Sequence, residues 1–297
     1  MALLEISELE ALGSFFKGEK GHARARTVLK MLGVDKVEAS YAAIEQYHGP
    51  EAAVRWLENQ DVHYSITGFE KLQALREGPF ITVSNHTIGT VDGIMLIAFM
   101  GQFRQDYKMM VNKFLERLRV LEDNFITVTP TGSERTAPTS VSIGGVRLAM
   151  EHIAAGHPLG LFPAGAVSDL HLGRRPLLTF PPSGSGASGT VSYREPRVRD
   201  REWQMPRIKF IKKAHVPVVP IRLFDGNSRF FYQLGLIDWR VRLLRQPHEV
   251  VNKAGKTFRF GIGDIITPEQ QDACTSLEEL RSLLRGAVYS QSEPPRE

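Results

Sequence analysis

A largely parallel α/β sheet flanked by helices, preceded by a helical N-terminal subdomain, is the fold class this sequence predicts. Two patterns carry that expectation. From residue 62 onward, short β-branched or apolar runs alternate with helical patterns, whereas residues 1–60 show helical periodicity. Composition agrees: 297 residues with 42% apolar side chains are enough for a sizeable core. Alternation of this kind argues for parallel strands joined by right-handed crossovers.

Within residues 1–60, Ala25-Arg26-Thr27-Val28-Leu29-Lys30-Met31-Leu32 is periodic, and Asp35-Lys36-Val37-Glu38 resembles a capping box opening the next helix. Residues 61–266 read as the α/β domain. Strands are expected at 62–67, 80–84, 107–111, 125–129, 159–162 and 216–223, with helices at about 93–100, 113–121, 140–154 and 206–214. An insertion of about 172–202 interrupts the alternation. Its centre, Pro181-Pro182-Ser183-Gly184-Ser185-Gly186-Ala187-Ser188-Gly189-Thr190, has the composition of a mobile lid or an unstructured loop. Residues 267–297 read as a C-terminal helix and tail, with Leu277, Leu280, Leu283 and Leu284 on one apolar face.

Composition bounds the function. The longest unbroken apolar run, residues 94–100, is far short of the roughly 20 residues of a membrane-spanning helix, and the acidic residues near Met1 do not fit a signal peptide. A single Cys274 excludes an intrachain disulfide and a multi-thiolate zinc site, and agrees with a reducing, cytoplasmic compartment. Net charge is +4 with a pI near 9.2. The basic clusters at 174–175, 194–201, 212–213 and 240–245 suggest an anionic partner. Nucleic acid is disfavoured, since the chain has no zinc-finger spacing, aromatic RNA-binding signature or continuous basic arm. Anionic lipid headgroups or a phosphorylated acyl donor fit equally well.

Chemistry concentrates in Ser84-Asn85-His86-Thr87-Ile88-Gly89-Thr90-Val91-Asp92, which follows a strand and precedes an apolar helical run. Loops at the carboxyl ends of strands are where α/β folds build sites. A carboxylate accepting from one imidazole nitrogen leaves the other as a base. The same spacing also suits two caps, His86 on the turn and Asp92 on the helix. A second run, Leu161-Phe162-Pro163-Ala164-Gly165-Ala166-Val167-Ser168, ends another strand, and a third is Val216-Pro217-Val218-Val219-Pro220-Ile221.

These three runs in this order, with Gly68-Phe69-Glu70-Lys71-Leu72 and Gly78-Pro79 before them, resemble the glycerolipid acyltransferase family of lysophosphatidic acid acyltransferase-like enzymes over roughly residues 65–225. The resemblance implies a glycerol-3-phosphate acyltransferase-like fold. It also implies transfer of a fatty acyl group from acyl-CoA or acyl carrier protein to the hydroxyl of a lyso-lipid, with no further cofactor and no metal. His86 would be the general base and Asp92 its orienting partner, with Phe162, Pro163, Gly165 and Ser168 on the substrate side. Direct transfer is the natural scheme, because Cys274 lies outside every motif. Backbone amides around Gly165 and in the turn after His86 are the expected oxyanion donors. The enzyme would sit peripherally on the inner face of the cell membrane.

Departures from the family pattern narrow the branch. Five residues separate His86 from Asp92, where most members have four. One added residue rotates a helical side chain by roughly 100°, and Gly89 permits the turn to be reshaped. The Phe-Pro run has Ala164 and Val167 where the common form has Glu and Arg, so a phosphate clamp does not carry over. Both departures are similar to a bacterial, hemolysin-like branch, some of whose members are linked to amino-acid lipids. A lyso-aminolipid with a glycine or ornithine head is therefore a rival acceptor to lysophosphatidic acid. Replacement anion ligands are expected among Arg174, Arg175, Lys212 and Arg222. Pro130 stands where the family's second motif carries a basic residue, for which Arg135 is a weak substitute. Asn227 in Phe224-Asp225-Gly226-Asn227-Ser228 is a further substrate-binding candidate, although a Gly-Asn turn is common for structural reasons alone. A non-catalytic acyl-chain-binding protein on the same fold is the competing class. A membrane-damaging hemolysin is disfavoured, with no export signal and no pore-forming segment in the pattern.

Overall fold

The computed structural model describes residues 17–128, 143–179 and 190–295. Helices α1 (Gly18–Met31), α2 (Val34–Ala42) and α3 (Gly49–Asn59) lead into β1 (Val62–Thr67), and β2 (Ile81–Ser84) is followed by α4 (Thr90–Phe103). The chain continues through β3 (Lys108–Asn112), β4 (Phe125–Val128), α5 (Ile143–Ala154) and β5 (Leu159–Leu161). A hairpin of β6 (Asp169–Thr179) and β7 (Thr190–Arg199) precedes α6 (Met205–Ala214) and β8 (Val218–Leu223). Three short helices, α7 (Arg229–Ile237), α8 (Trp239–Leu244) and α9 (Gln246–Val251), then lead to β9 (Lys256–Ile262), α10 (Pro268–Asp272) and α11 (Leu277–Tyr289).

Seven strands form one sheet in the order β1-β9-β8-β2-β5-β3-β4. The five strands from β8 to β4 are mutually parallel. Strand β9 runs antiparallel to β8, and β1 runs parallel to β9. The sheet is therefore largely parallel, as the alternation predicts, with a reversed pair at one edge. That pair includes β9, whose inward-facing Phe258, Phe260 and Ile262 alternate with more polar neighbours.

Both sheet faces are covered. On one, α4 is buried all round, and Tyr41, Ile44 and Trp56 of the N-terminal helical region join the same core as the sheet residues Val219, Ile221 and Phe260. Tyr41 stacks on Trp56, whose indole N–H donates to Ser40 Oγ at 3.0 Å, so a buried polar pair sits satisfied inside that core. On the other face, α5, α6 and α11 supply Ala149, Ile208, Ile211, Leu280, Leu284 and Val288.

Several local expectations shift. Helix α2 starts at Val34 after a left-handed Gly33 with no side-chain cap, so Asp35 lies in the first turn instead of opening a capping box. Residues 113–121 fall in two short 3-10 turns, Lys113–Arg117 and Arg119–Asn124, not an α-helix. On α11, Leu280 and Leu284 are buried, but Leu283 faces out and Val288 completes the stripe. Much of the expected insertion is the antiparallel β6–β7 ladder, in which Arg174 pairs with Arg194 and Arg175 with Tyr193. The Pro/Gly/Ser run at 181–189, Pro130 and Arg135 lie outside the described residues.

Candidate active site

The carboxyl ends of β8, β2 and β5 are neighbours in the sheet, so the loops that follow them converge. Asn85 continues the ladder with its side chain: its Nδ2 donates to Leu223 O and its Oδ1 accepts from Leu223 N, each at 2.8 Å. This sutures the end of β2 to β8 and fixes where the next residue emerges. The next residue is His86.

His86 Nδ1 lies 3.1 Å from Asp92 Oδ2. The same oxygen accepts the backbone N–H groups of Ile88 at 3.0 Å and Gly89 at 3.2 Å. Asp92 therefore caps α4 and holds the imidazole at once, and the two sequence readings of the pair are one structure. Gly89 makes the five-residue spacer workable: its φ is +108°, and a Cβ there would run into the Gln246 side chain. With Nδ1 engaged by a carboxylate, Nε2 has no hydrogen-bond partner among the described residues. The ring stacks on Phe162 with centroids 4.0 Å apart and planes at 22°.

The turn after His86 is held by its carbonyls. Thr87 O accepts from Tyr232 OH at 2.7 Å, and Ile88 O accepts from Asn227 Nδ2 at 2.9 Å and Gln246 Nε2 at 2.8 Å. Asn227 Oδ1 in turn accepts from Lys253 Nζ at 2.8 Å, so both ends of its amide are engaged behind the turn. Lys253 and Glu249 are fully buried and paired at 3.0 Å, and Glu249 also receives Ser228 N–H and Oγ–H. Burial pulls the Lys253 ammonium down to about 8.

A second buried carboxylate grips the other side of the loop. Asp200, at the end of β7, accepts His86 N–H at 3.0 Å and Ser168 Oγ–H at 2.6 Å on Oδ1, and Trp203 Nε1–H at 3.1 Å on Oδ2. Burial raises its pKa, with the hydrogen bonds from Ser168, His86 and Trp203 opposing. Ser168, itself fully buried, donates its backbone N–H to His86 O at 2.7 Å.

A cavity of about 570 Å³ opens beside this constellation. His86, Phe162, Gly165, Gln204 and Arg207 line one part of it, and Ile94, Met110, Val111, Leu118, Val37 and Tyr41 give the rest a predominantly apolar wall. Gly165 sits at φ +76°, where a Cβ would come within 2.5 Å of Gln204 Nε2 and 3.1 Å of Arg207 Nη2. The glycine lets both side chains approach the Phe-Pro turn. Arg207 donates to the carbonyl oxygen of Phe162.

The motif residues thus divide by position. His86, Phe162 and Gly165 line the cavity; Pro163, Ser168 and Asn227 do not. The amides expected to bind an oxyanion are otherwise engaged: Gly165 N–H bonds to Phe162 O, and those of Ile88 and Gly89 bond to Asp92. Arg174 and Arg175 lie on β6. Lys212 pairs with Asp272 and Gln271, and Arg222 donates to the carbonyls of Tyr289 and Gln291. Sequence reasoning missed Asp200, Gln204, Arg207 and Gln246. They lie far from His86 in the chain, inside charged or polar stretches indistinguishable from solvated surface.

A family model described as Acyltransferase matches residues 48–171. A lyso-glycine lipid O-acyltransferase of Phocaeicola vulgatus is 26% identical over 247 residues, covering 80% of this chain and 76% of that protein. Another of the same name, from Bacteroides thetaiotaomicron, is also 26% identical over 247 residues and covers 80% and 78%. Among solved structures, the 1-acyl-sn-glycerophosphate (LPA) acyltransferase PlsC from Thermotoga maritima matches with a TM-score of 0.44 and 16% identity over 97% of this chain and 92% of that one.

Proposed function

We propose that the chain, whose residues 48–171 match an acyltransferase family model, is a glycerolipid acyltransferase that transfers a fatty acyl group from an acyl thioester, acyl-CoA or acyl-ACP, to the free hydroxyl of a single-chain lipid. The observation that carries this is a carboxylate-held histidine with a free Nε2 on the wall of an apolar cavity. An alcohol is a poor nucleophile until its proton is removed, and a histidine at neutral pH is the side chain suited to remove it during attack. His86 Nε2 accepts the hydroxyl proton as the oxygen adds to the thioester carbonyl. The tetrahedral adduct then expels the thiol, the C–S bond breaks, and the proton passes from the imidazolium to the departing sulfur. Asp92 keeps Nδ1 protonated and stabilises the transient imidazolium.

Cavity and motif chemistry favour a lyso-aminolipid of the glycine-lipid class over lysophosphatidic acid. Ala164 and Val167 bring no charge to the Phe-Pro turn, and the curated relatives carry a lyso-glycine lipid name. No helix among the described residues is long and apolar enough to cross a membrane. A bilayer-resident acceptor then requires a peripheral enzyme, on the inner face of the cell membrane where acyl thioesters are made. The exposed apolar side chains of α7 and α8 beside the cavity supply the contact.

Purified protein given acyl-CoA or acyl-ACP and lyso-glycine lipid should form the diacyl product. His86→Ala should abolish turnover while leaving the thermal midpoint within a few degrees. Full turnover by that folded variant would overturn the mechanism, and faster acylation of lysophosphatidic acid than of the glycine lipid would overturn the acceptor.

A further inference from the structure

A guanidinium with no counter-ion among the described residues is set into the wall of the cavity beside His86. Arg207, on the first turn of α6, lines the cavity together with His86, Gly165 and Gln204. Its one hydrogen-bond acceptor among the described residues is the carbonyl of Phe162, and its Nε is buried with none. No described carboxylate lines the cavity. A guanidinium carries five N–H donors in a planar fork, and a part-buried cation with one neutral protein acceptor leaves most of that fork for water or for an anion to complete. Burial pulls its pKa down to about 10, so it keeps its charge at neutral pH.

Position ties this cation to the reacting centre. The His86 ring stacks on the Phe162 ring while Arg207 holds the Phe162 backbone, so the base and the cation flank one residue. The absent Cβ of Gly165 leaves room for Arg207 Nη2 beside the turn. A residue more than thirty positions further along the chain thus puts positive charge next to a Phe-Pro turn whose own positions 164 and 167 carry none.

We propose that Arg207 binds the anionic head of the acceptor, a carboxylate or a phosphate monoester, and so determines which lyso-lipids present their hydroxyl to His86. The planar fork suits either oxyanion through paired N–H donors. This rests on the lyso-lipid acyltransferase reading for the identity of the acceptor, but not for the existence of an anion site.

The test is binding, read without turnover. In a His86→Ala background, affinities are measured for short-chain, monomeric lyso-acceptors in matched pairs: an amino-acid lipid against its methyl ester, and a phosphate-headed lyso-lipid against its neutral glycerol counterpart. The arginine-containing protein should prefer at least one charged member by about tenfold or more, and the preferred pair identifies the head. Arg207→Gln should bring that preference close to unity, and Arg207→Lys, which keeps charge but loses the fork, should retain part of it. Arg207→Lys also carries the test if Arg207→Gln does not fold. Charge preference that survives Arg207→Gln, equal weakening of charged and neutral partners, or a loss confined to the acyl-CoA donor would each overturn the proposal. A wild-type protein that selects the charged head but acylates nothing would overturn the proposed reaction and leave this site standing.

Discussion

The Asp92 carboxylate faces His86 Nδ1 with both oxygens, Oδ1 at 3.0 Å and Oδ2 at 3.1 Å, and the same Oδ2 accepts the backbone N–H of Ile88 at 3.0 Å and of Gly89 at 3.2 Å, the two residues that lead into α4. The geometry of the proposed base and the capping of the helix are therefore coupled, and two substitutions should separate them. Asp92→Asn keeps an oxygen for the amides but removes the charge that supports an imidazolium. It should lower kcat by about two to four orders of magnitude with a stability loss below about 1 kcal/mol. Asp92→Ala loses the cap as well and should cost about 1–2 kcal/mol more. Urea denaturation beside steady-state kinetics checks both, and equal kinetic losses with unequal stability losses are the expected signature.

Asp200 is expected to act on the reaction through His86, not through substrate. It fixes the His86 backbone N–H at 3.0 Å while also taking Ser168 and Trp203. Asp200→Asn turns one acceptor into a donor facing the Trp203 N–H or the Ser168 hydroxyl, leaving a buried donor unsatisfied at about 1–3 kcal/mol. Because the loop that carries the proposed base moves with it, kcat should fall about tenfold or more while KM for both substrates changes little. A purely structural role would reduce the folded fraction without this split. Rates normalised to active sites distinguish the two.

Lys253 makes stability depend on alkaline pH. Its folded value of about 8 lies below the ordinary lysine value of 10.5, so between those limits the unfolded chain binds a proton that the folded chain does not. Stability from this group therefore rises with pH across that interval, by at most about 1.4 kcal/mol per unit. Lys253→Met should remove the rise, so that urea midpoints of the variant relative to wild type worsen from pH 8 to pH 10. A constant difference across that range would contradict the assignment.

How much of this was readable beforehand depends on distance along the chain. The parallel strands follow from local periodicity, which a sequence displays directly, whereas the spacing of His86 and Asp92 suits a couple or two caps alike and reads as a couple through the ordered motifs that resemble the acyltransferase family. Strand β9 had its signal in the alternation of Phe258, Phe260 and Ile262, but its insertion between β1 and β8 is a pairing choice set by the folded sheet. Arg222 and Lys212 looked like anion ligands and Arg207 did not, because nothing local distinguishes them. What decides is that Arg222 and Lys212 meet carbonyls and Asp272, whereas Arg207 meets a cavity. Ser168 and Asn227 were attractive as polar motif residues, yet their hydrogen bonds go to the loop they brace.

The proposed membrane contact makes the last prediction. Phe230, Leu236, Ile237, Val241 and Leu243 are all exposed, within fourteen residues spanning α7 and α8. Leu243 also lines the cavity, and the Arg245 guanidinium lies 5.4 Å from the Phe230 ring, so apolar surface and positive charge meet on the helices that reach the cavity wall. Apolar insertion with basic side chains at headgroup level is how an interfacial helix holds a bilayer. Ile237, 81% exposed and outside the cavity lining, is the position to charge. Ile237→Asp should reduce flotation with phosphatidylglycerol-containing vesicles about tenfold and slow acylation of vesicle-borne acceptor, with turnover of a monomeric short-chain acceptor retained. Ile143→Asp, at an equally exposed position on α5, should leave flotation unchanged. Unimpaired flotation of Ile237→Asp, or a wild-type dimer that this substitution dissociates without affecting vesicles, would assign the patch to self-association instead.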